Sequence, residues 1–121
     1  MHHAVLDRVD NSRAFLGSLV SLLKPGGRLV VALPLPYCAK LWTEGGQSDS
    51  RAAWAAANAL PESPGENWEE SACLVAAALG EAGLVVERVV RAPYLCQGWE
   101  DKNEETLYCL DDAVFVCTVK R

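Results

Sequence analysis

The stretch from residue 12 to residue 35 constrains the fold more tightly than any other. Phe15, Leu16, Leu19, Val20, Leu22 and Leu23 recur with the 3.6-residue period of an amphipathic helix. Asp10, Asn11 or Ser12 can cap its start, because each offers a side-chain oxygen to an N–H that the first turn leaves open. Lys24-Pro25-Gly26-Gly27 then stops it: a cation suits the negative end of a helix, proline cannot continue one, and glycine accepts a left-handed turn. Directly after the turn come Arg28, Leu29, Val30, Val31, Ala32, Leu33, Pro34 and Leu35, apolar almost throughout and without polar alternation. Runs of that kind belong to strands covered on both faces, and Pro34 with Pro36 closes this one. A helix turned tightly into a doubly buried strand predicts an α/β sheet.

The remaining pattern agrees. Ala4, Val5 and Leu6 read as a short first strand that ends at Asp7. Trp68, Ala72, Val75, Leu79 and Ala82 recur every three or four residues, with Asn67 able to cap the start and Gly83 after the last turn, so a second long helix is predicted. Residues 84–92 read as a β-branched strand broken by Pro93, residues 97–106 as an acidic loop, and residues 113–119 as the last strand. No helix separates the final two strands, so they are expected to pair antiparallel, with one reversed strand at or near the edge of the sheet. Residues 37–65 contain Gly45-Gly46, Pro61, Pro64 and Gly65, and predict an irregular insertion or lid with a short helix over 51–60, capped by Asp49 or Ser50.

Composition narrows the functional classes. A chain of 121 residues suits one domain. Eleven basic against sixteen acidic side chains give a net charge of -5, which argues against nucleic acid as the main partner. No apolar stretch approaches the roughly 18 residues of a membrane span, and Met1-His2-His3 has neither the basic start nor the apolar run of a signal peptide. The five cysteines, at 38, 73, 96, 109 and 117, form no C-x-x-C pair and have no histidine beside them, so neither a zinc site nor a disulfide framework is expected. Cys73 and Cys117 lie in apolar runs and are expected to be buried as small hydrophobes. Cysteine usage favours a reducing compartment without naming one. The acidic run Glu100, Asp101, Glu104 and Glu105 reads as a solvated face, Asp111-Asp112 as a cap on the turn into the last strand, and the four tryptophans as packing or lid residues.

Two resemblances add to this reading. The Leu-Lys-Pro-Gly-Gly stop running into Arg-Leu-Val-Val-Ala is similar to the approach to the fifth strand of class I methyltransferases. Three blocks carry more: Val5-Leu6-Asp7-Arg8; Glu66-Asn67-Trp68-Glu69-Glu70; and Pro93-Tyr94-Leu95-Cys96-Gln97-Gly98 followed by Tyr108-Cys109-Leu110-Asp111-Asp112-Ala113-Val114-Phe115-Val116. In that order they resemble the C-terminal half of the DREV family, methyltransferase-like proteins that methylate protein histidine at the pros nitrogen. The resemblance runs from about Ala4 to Val119, and residues 47–62 are the part that does not match.

The resemblance implies a partial class I, Rossmann-like methyltransferase sheet, strands four to seven, with residues 1–121 as the C-terminal half of the domain. It implies S-adenosyl-L-methionine as cofactor and a histidine-containing protein or peptide as substrate. The chain has no G-x-G turn after a strand, the feature that lets backbone approach a cofactor. Most of the cofactor pocket is therefore expected in N-terminal sequence not included here, and the chain is expected to be a truncated, inactive fragment with an exposed first strand open to pairing. No metal is needed for methyl transfer from a sulfonium.

Asp7 is the first candidate for chemistry, since it closes the first strand and ligands of open α/β sheets bind beyond the carboxyl ends of strands. An imidazole alkylated at one nitrogen must hold its proton on the other; a carboxylate that accepts that N–H selects the tautomer and stabilises the cation that forms. Its plain role would be a helix-cap or turn aspartate. By resemblance Tyr108 reaches the substrate histidine, Tyr94 lies against the cofactor, and Ala4 stands at the cofactor edge where the family typically has Asn. On residues alone, Tyr108 reads as a half-buried β tyrosine. The rival reading is a noncatalytic α/β interaction module that pairs with a full-length relative.

Overall fold

The computed structural model describes residues 11–37, 58–101 and 104–120, of which residues 94, 96–101 and 104–108 are described by their backbone. Chain order is α1 (Ser12–Leu22), β1 (Arg28–Pro34), α2 (Trp68–Glu81), β2 (Leu84–Asp101) and β3 (Glu104–Val119). The expected first strand and the bulk of the expected helix over 51–60 lie outside the described residues; Asn58, Ala59 and Leu60, its last three positions, are not helical.

Each helix begins as its sequence predicts. The Asn11 side chain accepts from Ala14 N–H at 2.9 Å and that of Asn67 from Glu70 N–H at 2.8 Å, filling donors that have no partner within the helix. Glu70 also turns back to accept from Glu66 N–H at 2.8 Å. After α1 the chain makes a type II turn: Gly27 N–H donates to the Lys24 carbonyl at 2.7 Å, with Pro25 at the second position and Gly26 at φ 81° in the third. The turn delivers Arg28 straight into β1.

The sheet order is β1-β3-β2, with β3 antiparallel to both neighbours. β1 and β2 therefore run parallel, and the reversed last strand lies between them, one place in from β2. This agrees with the expected antiparallel last pair.

Three sequence readings need correction here. Pro93 does not end β2, and the acidic segment is not a loop: the ladder continues through Pro93↔Asp111 to Asp101↔Glu104. The register explains why proline is tolerated. The Asp111 carbonyl accepts Leu35 N–H at 3.1 Å, so the Asp111 backbone is turned toward β1 and Pro93 opposite it occupies a non-hydrogen-bonded position. A missing N–H there breaks no rung of the ladder. For the same reason Asp111 and Asp112 sit within β3 and not in a turn before it.

The core forms on one sheet face. Leu33, Ala113, Phe115, Cys117 and Leu84 meet Ala72, Val75, Ala78 and Leu79 of α2 and Leu16 of α1, all buried. Cys117 is buried as expected, but Cys73 is exposed, because Ala72, Val75 and Leu79 use the inward stripe of α2 and position 73 falls on the other side. Lys120 closes the far end, its ammonium donating to the Gly80 carbonyl at 2.9 Å at the negative end of α2. The opposite sheet face leaves Val30, Val85 and Val90 exposed, although their alternation with the core residues makes it a second apolar surface.

Candidate site at the carboxyl end of β1

The chain leaving β1 is held by buried side chains. Leu35 is 6% exposed and Tyr37 2%, and a cis peptide joins Leu35 to Pro36. The Tyr37 hydroxyl donates to the Pro61 carbonyl at 2.6 Å, while Tyr37 N–H meets the Ser71 hydroxyl oxygen at 3.4 Å in the first turn of α2. Ser12 and Asn58 tie the other side: the Ser12 hydroxyl donates to Asn58 Oδ1 at 2.8 Å and accepts from Ala59 N–H at 2.6 Å. Both ends of the expected insertion are thus anchored in the core. Residues 38–57, its middle, lie outside the described residues.

Beside that exit, three elements converge on Asp111. Its carbonyl accepts Leu35 N–H and also the Trp68 indole N–H at 3.1 Å. Its carboxylate oxygen Oδ2 receives Arg91 Nε at 2.9 Å and Arg91 Nη2 at 2.6 Å. Arg91 Nη1 reaches Glu69 at 3.2 Å, and the guanidinium carbon stands 4.7 Å from the centre of the Trp68 ring, a cation–π distance. The hydrogen-bonded guanidinium holds the Asp111 carboxyl below its ordinary range, against an opposing contribution from desolvation.

Beyond Asp111 the sheet has no third strand among the described residues. β2 and β3 continue as a two-stranded ribbon in which Tyr94 stands opposite Leu110 and Tyr108 opposite Cys96. These two tyrosines, separated by thirteen positions in sequence, thereby occupy diagonal register positions on one ribbon. Asp7 and Ala4 lie outside the described residues. Sequence reading overlooked Arg91 and the role of Asp111, and took Trp68 as a packing or lid residue. The available signal was Arg91, a charge set in the apolar end of the strand two residues before Pro93, with Trp68 and Asp111 each inside one of the three distinctive blocks.

Other features among the described residues lie away from this end of the sheet. A shallow cavity lined by Arg13, Leu16, Ala59, Ala78, Glu81 and Ala82 lies in the helical layer and draws on no strand end. Among the described residues no group of three His, Cys, Asp or Glu could hold a metal ion. No helix there is long and apolar enough to cross a membrane.

A family model described as DREV methyltransferase matches residues 2–119. The matched span takes in both helices, the three strands and every block that converges on Asp111, and the chain belongs to the DREV methyltransferase family.

Proposed function

We propose that this chain is the C-terminal half of an S-adenosyl-L-methionine-dependent methyltransferase that modifies the pros nitrogen of histidine in protein substrates. The observation that carries the reading is the family match across residues 2–119. In this reading β1, β2 and β3 are strands five, six and seven of the sheet. The exposed valines of the second sheet face form an apolar surface, which supports a larger domain that covers it.

The residues described here make one border of a cofactor cleft and not a pocket. Of the described glycines with positive φ, Gly26 and Gly83 lead into β1 and β2, and Gly65 leads into α2 far along the chain from the end of β1, so none forms a turn directly after a strand where backbone could approach a cofactor. The cofactor, when bound, supplies the methyl group. On the protein side, Asp7 accepts the N–H of the substrate imidazole and leaves the other ring nitrogen with its lone pair. Tyr108 fixes the ring from the ribbon, Tyr94 borders the cofactor, and Ala4 contributes no side-chain hydrogen bond there. Rate acceleration then comes chiefly from holding the nucleophile and methyl group in line.

The test is calorimetric titration with S-adenosylhomocysteine, followed by mass-spectrometric location of methyl on a histidine-containing peptide. We expect no binding by the 121-residue chain, and binding with pros-methylation by a form extended upstream. In the extended form D7N and Y108F are expected to lower kcat/KM by about 100-fold or more. Binding by the 121-residue chain alone would overturn the half-domain reading. Absence of methylation by the extended form would overturn the enzyme reading and leave a noncatalytic α/β module that pairs with a relative.

A further inference from the structure

We propose that Arg91 and Asp111 are positioning residues: their contact, backed by Trp68, sets where the ribbon bearing Tyr94 and Tyr108 stands over the carboxyl end of β1. The functional part rests on the reading above that these tyrosines border cofactor and substrate. The positional part stands on geometry.

A two-stranded ribbon is marginal by itself and free to twist. Among the described residues this one loses its third strand at Leu35, the last of them on the β1 side to bond with it. Its orientation must therefore be fixed at the root. Asp111 is the residue where that happens, because its carbonyl joins the β1 exit to the indole of α2 and its carboxylate takes two nitrogens of Arg91. Arg91 lies on the same sheet face as Asp111, diagonally across the ladder, and its third nitrogen reaches Glu69 of α2. The guanidinium thus spans both strands of the ribbon and the helix beneath.

Stability alone does not account for such a cluster. The Arg91 side chain is 49% exposed and its partners Glu69 and Asp111 are 69% and 32% exposed, conditions in which an ion pair adds little to folding. Leverage is a different matter. Tyr108 is three residues along β3 from Asp111, about 10 Å at strand rise. A rotation of about 10° at the root would move its backbone by about 2 Å, and an error near 1 Å is already costly at a reacting centre.

The experiment uses the full chain labelled with 3-fluorotyrosine. It has three tyrosines, Tyr37, Tyr94 and Tyr108, assigned by single Tyr→Phe variants. Tyr37 is the internal control, since its hydroxyl is tied to the Pro61 carbonyl in the core. Fluorine spectra and backbone hydrogen exchange are recorded for wild type, R91A, R91K and D111N. In R91A and D111N we expect the Tyr94 and Tyr108 resonances to shift and broaden about twofold and exchange over 94–110 to quicken about tenfold. Tyr37 and the exchange of α1 should be unchanged, and R91K, which keeps the charge on a single donor nitrogen but not the planar fork, should recover part of the shift.

Changes at all three tyrosines with uniformly faster exchange would reduce Arg91 and Asp111 to a general stabilising role and overturn the proposal, as would no change at any. If the ribbon responds as expected while an upstream-extended form methylates nothing, the latch stands and the methyltransferase reading falls. If the extended form methylates its peptide with the same KM in wild type and R91A, the latch has no bearing on the site and the functional part is overturned.

Discussion

The Trp68 indole donates to the Asp111 carbonyl at 3.1 Å, on an oxygen that also accepts Leu35 N–H. One backbone carbonyl in β3 therefore accepts two N–H donors from other elements, the first residue of α2 and the residue just after β1. This contact makes the start of α2 follow the root of the ribbon.

Trp68→Phe keeps an aromatic ring under Arg91 but removes the N–H. We expect a loss of about 1–2 kcal/mol, from one hydrogen bond and a weaker cation–π contact. Urea denaturation with an unchanged m-value is the check; a variant as stable as wild type would show that the indole bond contributes nothing.

Acidification should bring wild type and D111N together. Arg91 lowers the folded-state pKa of Asp111 below the ordinary 3.8. A depressed carboxyl contributes stability that is present above its unfolded value and lost as pH falls through its folded one. The gap in Tm between wild type and D111N, open at neutral pH, should therefore close progressively below about pH 4. A gap that stays constant down to about pH 2 would contradict the ion pair.

Two glycine-to-alanine changes should act in opposite directions. Gly65 has φ 87°, and an added Cβ would stand 2.9 Å from Glu70 Cβ and 3.2 Å from the Ser71 backbone nitrogen. Gly65→Ala should cost about 1–2 kcal/mol or more, from a left-handed backbone and a contact that the first turn of α2 cannot relieve. Gly17 is exposed on α1 with no atom within 4 Å of an added Cβ. Gly17→Ala should stabilise by about 0.5–1 kcal/mol through helix propensity, read from the same denaturation curves.

Thiol chemistry checks the correction made at Cys73. Cys73 and Cys109 are exposed, whereas Cys117 is fully buried. Burial, helped by the nearby Glu87 charge, pushes the Cys117 thiol up. Brief alkylation of the native chain should label Cys73 and Cys109 and spare Cys117, which reacts only after denaturant is added. Peptide mapping that found Cys73 protected would place that side of α2 against another surface.

Local sequence patterns determined the elements that depend on local forces. Asn11 and Asn67 cap α1 and α2, Lys24 to Gly27 make the turn, and Ala72, Val75 and Leu79 line the buried stripe of α2. Each rests on contacts within about four residues, so the sequence states them directly. The blocks around Trp68 and Asp111 likewise sufficed to show the family, which the match over residues 2–119 bears out. The convergence of those blocks was not legible. Pro93 looks like a strand breaker until the register shows that its missing N–H faces away from β3, and Cys73 looks like core until the orientation of α2 is known. Arg91, Trp68 and Asp111 are separated by at least twenty residues in sequence. Only the pairing of β3 between β1 and β2, with α2 on one face, brings them within hydrogen-bonding distance. That pairing is decided by burial of Leu33, Phe115 and Val75 in one shared core, a nonlocal gain that no window along the chain contains.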